Sequence, residues 1–282
     1  MRIAYVNGAY VPHAQAAVHI EDRGYQFADG VYEVVCLVKG RLIDFFEHLD
    51  RLDYSLSELQ IPAVFERSAL EHICREVIRL NRLKDGMLYI QITRGVAPRY
   101  HAFPKHIEPS IVVTARYFNQ GQAVKKGGEG VAAITMPDNR WARPDIKSIS
   151  LLPNVLGKQQ AVEAGAYESI LYNKDKVVTE ANSANVWIVD DKGILRTSPL
   201  LGNILAGITR QRLIQLLGSA GITVEESLIT LDELRQAQEI ILTASTSAVT
   251  PIIMLDHQPV GQGTTGEMAK KMSQLYLDYT GG

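Results

Sequence analysis

The feature that most limits the fold of this 282-residue chain is where period-two runs meet two-residue turns near its start. In AYVNGAYV two short β runs flank Asn7-Gly8, a pair suited to a tight hairpin turn. A second pair of runs, VYEVVCLV and RLIDF, flanks Lys39-Gly40. The period then changes. Leu49, Leu52, Leu56 and Leu59, spaced three, four and three, predict an amphipathic helix. Leu70, Ile73, Val77 and Leu80 predict a second, opened by Ser68 and Glu71 in capping-box spacing. Strand patterns return at MLYIQITRG and SIVVTAR. Hairpins, two helices and further strands make an α+β domain.

The polar, glycine-rich segment NQGQAVKKGGEG, residues 119–130, reads as a linker between a smaller α+β domain, 1–119, and a larger one, 120–282. Beyond it come strand-like VAAITM, a helix from about Pro153 to Ala164, and strands SILYN, VVTE and ANVWIVD. A helix over about Thr209 to Leu217, a helix LDELRQAQ, strands EIILTAS and IIMLD, and a helix near MAKKMSQLYLDY complete the pattern. The expected architecture is two α+β domains with a cleft between them. A composition of 46% hydrophobic and 21% charged residues fits a soluble globular protein. With a net charge of -2 and no Lys/Arg block longer than a pair, nothing favours nucleic acid or an anionic membrane. The start MRIAYVNGAYV has no signal-peptide pattern, and no apolar run is long enough to cross a bilayer. Cys36 and Cys74 lack metal-ligand spacing and read as reduced core residues of a cytoplasmic protein, with no metal expected.

Four stretches could carry chemistry. In RPDIKSISLLPNV, residues 143–155, period two sends Asp145, Lys147, Ile149 and Leu151 one way and Ile146, Ser148, Ser150 and Leu152 the other. Lys147 is then either a surface lysine at a strand end or a lysine in a pocket, where desolvation lowers its pKa and makes the amine nucleophilic. GNILAGITRQRLIQLL, residues 202–217, has a glycine, a hydroxyl two residues on and an amphipathic run, marking a helix N-terminus. Its free N–H groups and Thr209 suit a phosphate, or Thr209 is a plain N-cap. LTASTSAVTP places Thr243, Ser245, Thr246 and Ser247 past a strand, where hydroxyls cap turns or line a phosphate site. Arg51, beside His48, is a solvated helical arginine or a third contributor to that phosphate. Glu180 ends an apolar run in VVTEANSANVWIV, where it either caps the next turn or needs a buried partner. A pocket lysine, a phosphate cradle and a buried acid are together what pyridoxal phosphate requires.

The chain resembles the fold-type IV pyridoxal-phosphate enzymes over nearly its whole length, and among them the D-amino-acid aminotransferases. The densest matches are EDRGYQFADGVYEVV, EHLDRL, TRGVAPRYHAFP, RWARPDIKSISLLPNVLGKQ, VVTEANSANV, GITR and TASTSAVTP. The resemblance implies a two-domain α+β fold with the active site in the interdomain cleft. It implies pyridoxal 5'-phosphate as cofactor, Lys147 as the Schiff-base lysine and proton shuttle, and Glu180 as partner of the pyridine nitrogen. Arg51, Ile208, Thr209, Ser245 and Thr246 would hold the phosphate, and Tyr32 would reach in from the first domain. In PRYH, an extended loop would point Arg99 and His101 the same way, as a carboxylate clamp, although such a loop pair is also ordinarily solvent-exposed. The resemblance assigns that pair, with Tyr32, to the substrate α-carboxylate, in a homodimer whose neighbouring subunit supplies the loop. It implies ping-pong transfer of amino groups between D-amino acids and 2-oxo acids. The alternatives are a branched-chain L-amino-acid or (R)-amine transaminase, or an aminodeoxychorismate lyase, of the same fold. Two departures bear on substrate range. Ala181, Asn182, Ser183 and Ala184 stand where a serine-rich run is common, and Ala248 stands where an acid is common.

Overall fold

The computed structural model describes residues 1–62, 66–121 and 128–281. The chain forms two compact units, Met1–Asn119 with Ile146–Ser150, and Gln120–Asp145 with Leu151–Gly282. Half of the stretch expected to be a linker, residues 122–127, lies outside the described residues.

The first unit is built on a six-stranded antiparallel sheet in the order β2-β1-β6-β5-β3-β4. Its strands are β1 (Ile3–Val6), β2 (Ala9–Pro12), β3 (Gly30–Val38), β4 (Arg41–Leu42), β5 (Gly86–Thr93) and β6 (Ser110–Arg116). Asn7 and Gly8 adopt φ of 44° and 97°, the left-handed pair that a two-residue hairpin matching strand twist requires. β3, β5 and β6 alternate, so that Val31, Val35, Leu88, Ile90, Ile92, Ile111 and Val113 lie in one buried core. Helices α2 (Phe45–Glu58) and α3 (Arg67–Leu80) supply the rest of that core through Leu49, Leu52, Leu56, Leu70, Ile73 and Val77. A five-residue helix, α1 (Arg23–Phe27), precedes β3.

Two local expectations fail for identifiable reasons. The run RLIDF yields only a two-residue strand, because Asp44 turns left-handed at φ 52° and α2 begins at Phe45. Ser68 and Glu71 form no capping box, since α3 starts two residues earlier with Glu66 at its N-cap. Around Lys147 the alternation holds without a strand. Ile146 and Ser148 are buried, Lys147 and Ile149 half-buried, and the Ser148 N–H donates to the Ile146 carbonyl at 2.7 Å, a tight turn centred on the lysine.

The second unit holds a mixed sheet in the order β12-β11-β10-β13-β14-β7-β8-β9, with β15 paired to β14. Its strands are β7 (Val131–Pro137), β8 (Glu168–Tyr172), β9 (Val178–Ala181), β10 (Asn185–Val189), β11 (Leu195–Thr197), β12 (Val224–Glu226), β13 (Glu239–Ala244), β14 (Ala248–Leu255) and β15 (Gln258–Pro259). β14, β7 and β8 run parallel, as do β11 and β12, while the other pairs are antiparallel. Helices over Leu152–Glu163, Ile208–Ser219, Leu231–Gln236 and Glu267–Thr280 stand where the periodicity predicts them. β11 and β12 were not expected: three residues are too few to show a period. Cys36 and Cys74 are buried and in no disulfide, and burial pushes both thiols up to about 12, which leaves them unreactive near neutral pH. Among the described residues no helix is long and apolar enough to cross a membrane.

Gly95 tests the loop after β5. Its φ of +110° is one that L side chains rarely adopt, and an added Cβ would collide with the Glu108 carbonyl oxygen. Gly95→Ala is expected to lower unfolding stability by about 2 kcal/mol or more, read from urea denaturation against the parent.

Candidate active site

In the first unit the sequence-predicted residues Lys147, Tyr32 and Arg51 meet around one helix face. His48, Arg51 and Ser55 are spaced three and four on α2, so they share a face beside the leucine stripe. All three are buried, and Arg51 keeps only 8% of its surface. The solvated-face reading of Arg51 is therefore wrong. Its Nε and one terminal nitrogen donate to Glu33 on β3 at 2.7 and 2.8 Å. His48 Nδ1 lies 2.7 Å from the same carboxylate. Glu33 is wholly buried, which alone would raise its pKa, but the Arg51 charge and the hydrogen bonds from Arg51 and His48 hold it far below the usual carboxylate range. Burial, helped by the Arg51 and Lys147 charges, lowers His48 despite Glu33, so a neutral ring donates its Nδ1–H.

This ion pair ties α2 to β3, and those two elements hold the lysine segment. The Lys147 carbonyl accepts from the Tyr32 N–H at 3.0 Å, and the Lys147 N–H donates to Ser55 Oγ at 3.2 Å. Lys147 Nζ lies 4.3 Å from the centre of the Tyr32 ring, which itself stacks on Tyr89 at 5.7 Å. The lysine is half-buried with its ammonium over an aromatic face, a cation–π contact that orients the side chain.

Arg99 and His101 sit on the exposed loop between β5 and β6. The Arg99 guanidinium carbon is 5.0 Å from the Phe27 ring centre, and the His101 ring centre is 5.3 Å from it, so the two side chains flank one ring.

In the second unit Glu180, Ile208, Thr209, Ser245 and Thr246 gather at one end of the sheet. Glu180, at 4% exposure on β9, receives the Leu205 N–H at 3.2 Å and Asn185 Nδ2 at 3.2 Å, and pairs with Arg140. The turn-capping alternative is thereby replaced by a buried carboxylate with a cation beside it. Arg140 is in turn gripped by Asp138 at 2.7 and 2.9 Å. Burial would lower its pKa, but the two carboxylates outweigh burial and raise it, so the guanidinium stays charged. Asn185 links the acid to the next element. It donates to the Leu205 carbonyl at 2.9 Å, and Gly207 packs so closely that an added Cβ would strike its Oδ1.

Gly207 is the N-cap of the helix Ile208–Ser219, so Thr209 is the second helical residue and not the cap. With no capping side chain at Gly207, the first-turn N–H groups suit an anion. Asn185 pairs in register with Thr243, which brings the tip Ser245–Ser247 of the β13–β14 hairpin to the same end. Ala248 closes that tip at φ 53°, a left-handed conformation for a residue with a Cβ, and thus a site of local strain. In the departing stretch 181–184, Asn182 and Ser183 bond a buried Glu168 at 3.0 and 2.9 Å, while the two alanines carry no polar side chain.

Sequence reasoning missed Glu33, Ser55, Arg140, Asn185 and Glu168. Its one usable signal for the acids was that Glu33 lies inside a strand pattern and Glu180 ends one, so each demanded a cation. Which arginine answers each depends on contacts far apart in the chain.

The amino-transferase class IV family profile matches residues 30–254. The D-alanine aminotransferase of Bacillus licheniformis is 42% identical over 266 residues, covering 94% of this chain and 93% of the relative. The branched-chain amino acid aminotransferase of Escherichia coli superposes with a TM-score of 0.92 at 24% identity, covering 98% of this chain and 94% of that one. A T.th. branched-chain amino acid aminotransferase, complexed with N-(5'-phosphopyridoxyl)-L-glutamate, gives a TM-score of 0.89 at 24% identity over 99% and 94% of the two chains. The residues present fit pyridoxal phosphate: a helix start whose N-cap is a glycine held against Asn185, and a charge-paired acid at the same sheet end.

The Glu33 ion pair makes a pH-dependent prediction. A carboxylate whose folded pKa is depressed adds stability that is fully present above the unfolded value of about 4.3 and is lost as pH falls below it. Glu33→Gln leaves Arg51 buried without its counter-charge and should cost about 3–5 kcal/mol at pH 7. In urea unfolding the gap between parent and variant should shrink as pH falls from about 5 to 3.

Proposed function

The chain belongs to the amino-transferase class IV family and is a pyridoxal-phosphate-dependent aminotransferase, and on that footing we propose the roles its residues play. It is a D-amino-acid transaminase, exchanging amino groups between D-amino acids and 2-oxo acids. The observation that carries the substrate class is that Arg99 and His101 both pack against the Phe27 ring. Two neighbouring donors held at one ring suit the two oxygens of an α-carboxylate, and Tyr32 adds a phenol hydroxyl to that trap. The similarity to a D-alanine aminotransferase over nearly the whole chain supports the same class.

When bound, pyridoxal phosphate supplies the electron sink that lets a Cα–H bond break. Ile208, Thr209, Ser245, Thr246 and Arg51 hold its phosphate. Glu180, paired with Arg140, would hold the proton on its pyridine nitrogen. Lys147 Nζ would hold the cofactor and would take the proton from the substrate Cα. Its backbone is fastened at both the N–H and the carbonyl, so only the side chain moves. Lys147 fixes which face of the substrate loses its hydrogen, and the clamp then decides which enantiomer presents it there. The enzyme acts as a cytoplasmic homodimer, with the clamp loop working in the neighbouring subunit.

Two tests follow from these roles. Lys158 lies on the helix Leu152–Glu163, half-buried, with its Nζ on the Tyr167 carbonyl. Lys147→Ala should abolish turnover and the borohydride-fixed attachment of cofactor seen by peptide mapping, while Lys158→Ala should keep both. An attachment mapping to Lys158 overturns the assignment.

Handedness is read by mixing holoenzyme with D-alanine, L-alanine, D-glutamate or L-leucine and following the cofactor absorbance. D-alanine and D-glutamate should react fastest. Arg99→Ala should slow both by about tenfold or more, from loss of a charge-assisted hydrogen bond, and hardly change reaction with a primary amine that has no carboxylate. Faster reaction of the parent with L-leucine than with any D-amino acid would move the protein to the branched-chain L-aminotransferases.

A further inference from the structure

A buried guanidinium lies directly under the clamp loop. Arg23 opens α1 and is only 3% exposed. Its Nε donates to Asp29 at 2.8 Å. Its two terminal nitrogens donate to the Tyr100 carbonyl at 2.5 Å and the His101 carbonyl at 3.3 Å. These are the peptides between and just beyond the two clamp residues. The same guanidinium lies 4.9 Å from the Phe27 ring centre, so Arg23, Arg99 and His101 all stand against one phenyl ring.

The chain geometry makes this possible. Asp22 caps α1 by accepting the Gly24 N–H at 2.8 Å, and Ala28 ends the helix at φ 55°. That turn brings the Asp29 N–H back to the Arg23 carbonyl at 3.3 Å and aims the Asp29 carboxylate at the guanidinium. Asp29 also takes Arg94 Nε at 2.8 Å, and Arg94 donates to the Leu59 and Gln60 carbonyls at 2.7 and 2.9 Å. One carboxylate thus orients two arginines, each of which caps the carbonyls of a neighbouring loop.

We infer that Phe27 and Arg23 are positioning residues of the carboxylate clamp, holding Arg99 and His101 in the geometry that grips a substrate carboxylate. This rests on the clamp role proposed above. Arg99, Tyr100 and His101 are exposed, with Tyr100 at 70%, so the loop's own burial does not order it. Two long side chains free to rotate would lose entropy on every binding event. A ring beneath both, and a buried fork on the carbonyls between them, remove most of that loss in advance.

The test uses holoenzyme carrying Phe27→Leu, Phe27→Tyr or Arg23→Lys. Phe27→Leu and Arg23→Lys should raise the KM for D-alanine about tenfold, one charge-assisted hydrogen bond's worth, with kcat changed less than about twofold. Phe27→Tyr, which keeps the ring, should retain the parental KM. Propionate, which offers a carboxylate and no amine, should compete about tenfold more weakly in the first two variants and normally in the third. Melting temperature and cofactor absorbance should stay parental. Unchanged KM and propionate inhibition in both Phe27→Leu and Arg23→Lys overturn the inference, and so does loss of folding or of cofactor in both, which assigns a merely structural role. A parent that reacts with no D-amino acid sinks the proposed substrate class instead, and propionate inhibition against whichever amine it accepts still decides for or against the brace.

Discussion

A single carboxylate with no access to water sets the geometry of the first unit. Glu33 could not remain ionised on an inner strand without Arg51 and His48, and both reach it from one face of α2. Helix and strand are therefore registered by charge as well as by leucines. The leucine stripe alone would tolerate small rotations of α2, because dispersion contacts are non-directional. The forked Arg51–Glu33 contact is directional and does not. Tyr32 and Ser55, next to these partners in the chain or one turn away, inherit that precision and pass it to Lys147. A lysine on a short turn outside any regular element is thus placed nearly as firmly as a strand residue.

The second unit solves a related problem in another way. Glu180 is also a buried carboxylate with an arginine, but backbone and amide donors share its oxygens. Arg140 is itself held by Asp138, so two acids surround one base and the local charge stays negative. In the first unit one acid meets one arginine and a neutral imidazole, which balances the charge. The contrast matches the proposed roles: a negative setting favours a protonated ring nitrogen, whereas a neutral one leaves Lys147 to act through position rather than through a fixed counter-ion.

Much of the framework was legible because it rests on local rules. The Asn7-Gly8 hairpin, the leucine spacing of α2 and the glycine-led start of the helix Ile208–Ser219 each follow from a few adjacent residues. The alternation around Lys147 was visible too, although a tight turn rather than a strand produces it. The capping box at Ser68 failed since the motif fits several starts and helix packing selected one two residues earlier. What sequence could not supply was the pairing of charges. Glu33 finds Arg51 across 18 positions, Glu180 finds Arg140 across 40, and Asp29 finds Arg94 across 65. Nothing periodic encodes such matches, because they are decided by which side chains share a burial site once the units have closed.

The contact between Gly207 and Asn185 has a consequence for how such a protein can change over generations. An added Cβ at 207 would displace the amide that touches Glu180, and a bulkier residue at 185 would push against the start of the following helix. Neither position can drift by itself. Any lineage that altered the surroundings of the acid would have to alter the helix start in the same step, or pass through an intermediate that folds poorly. The two positions therefore behave as one heritable character, and libraries that randomise them separately would sample mostly dead ends.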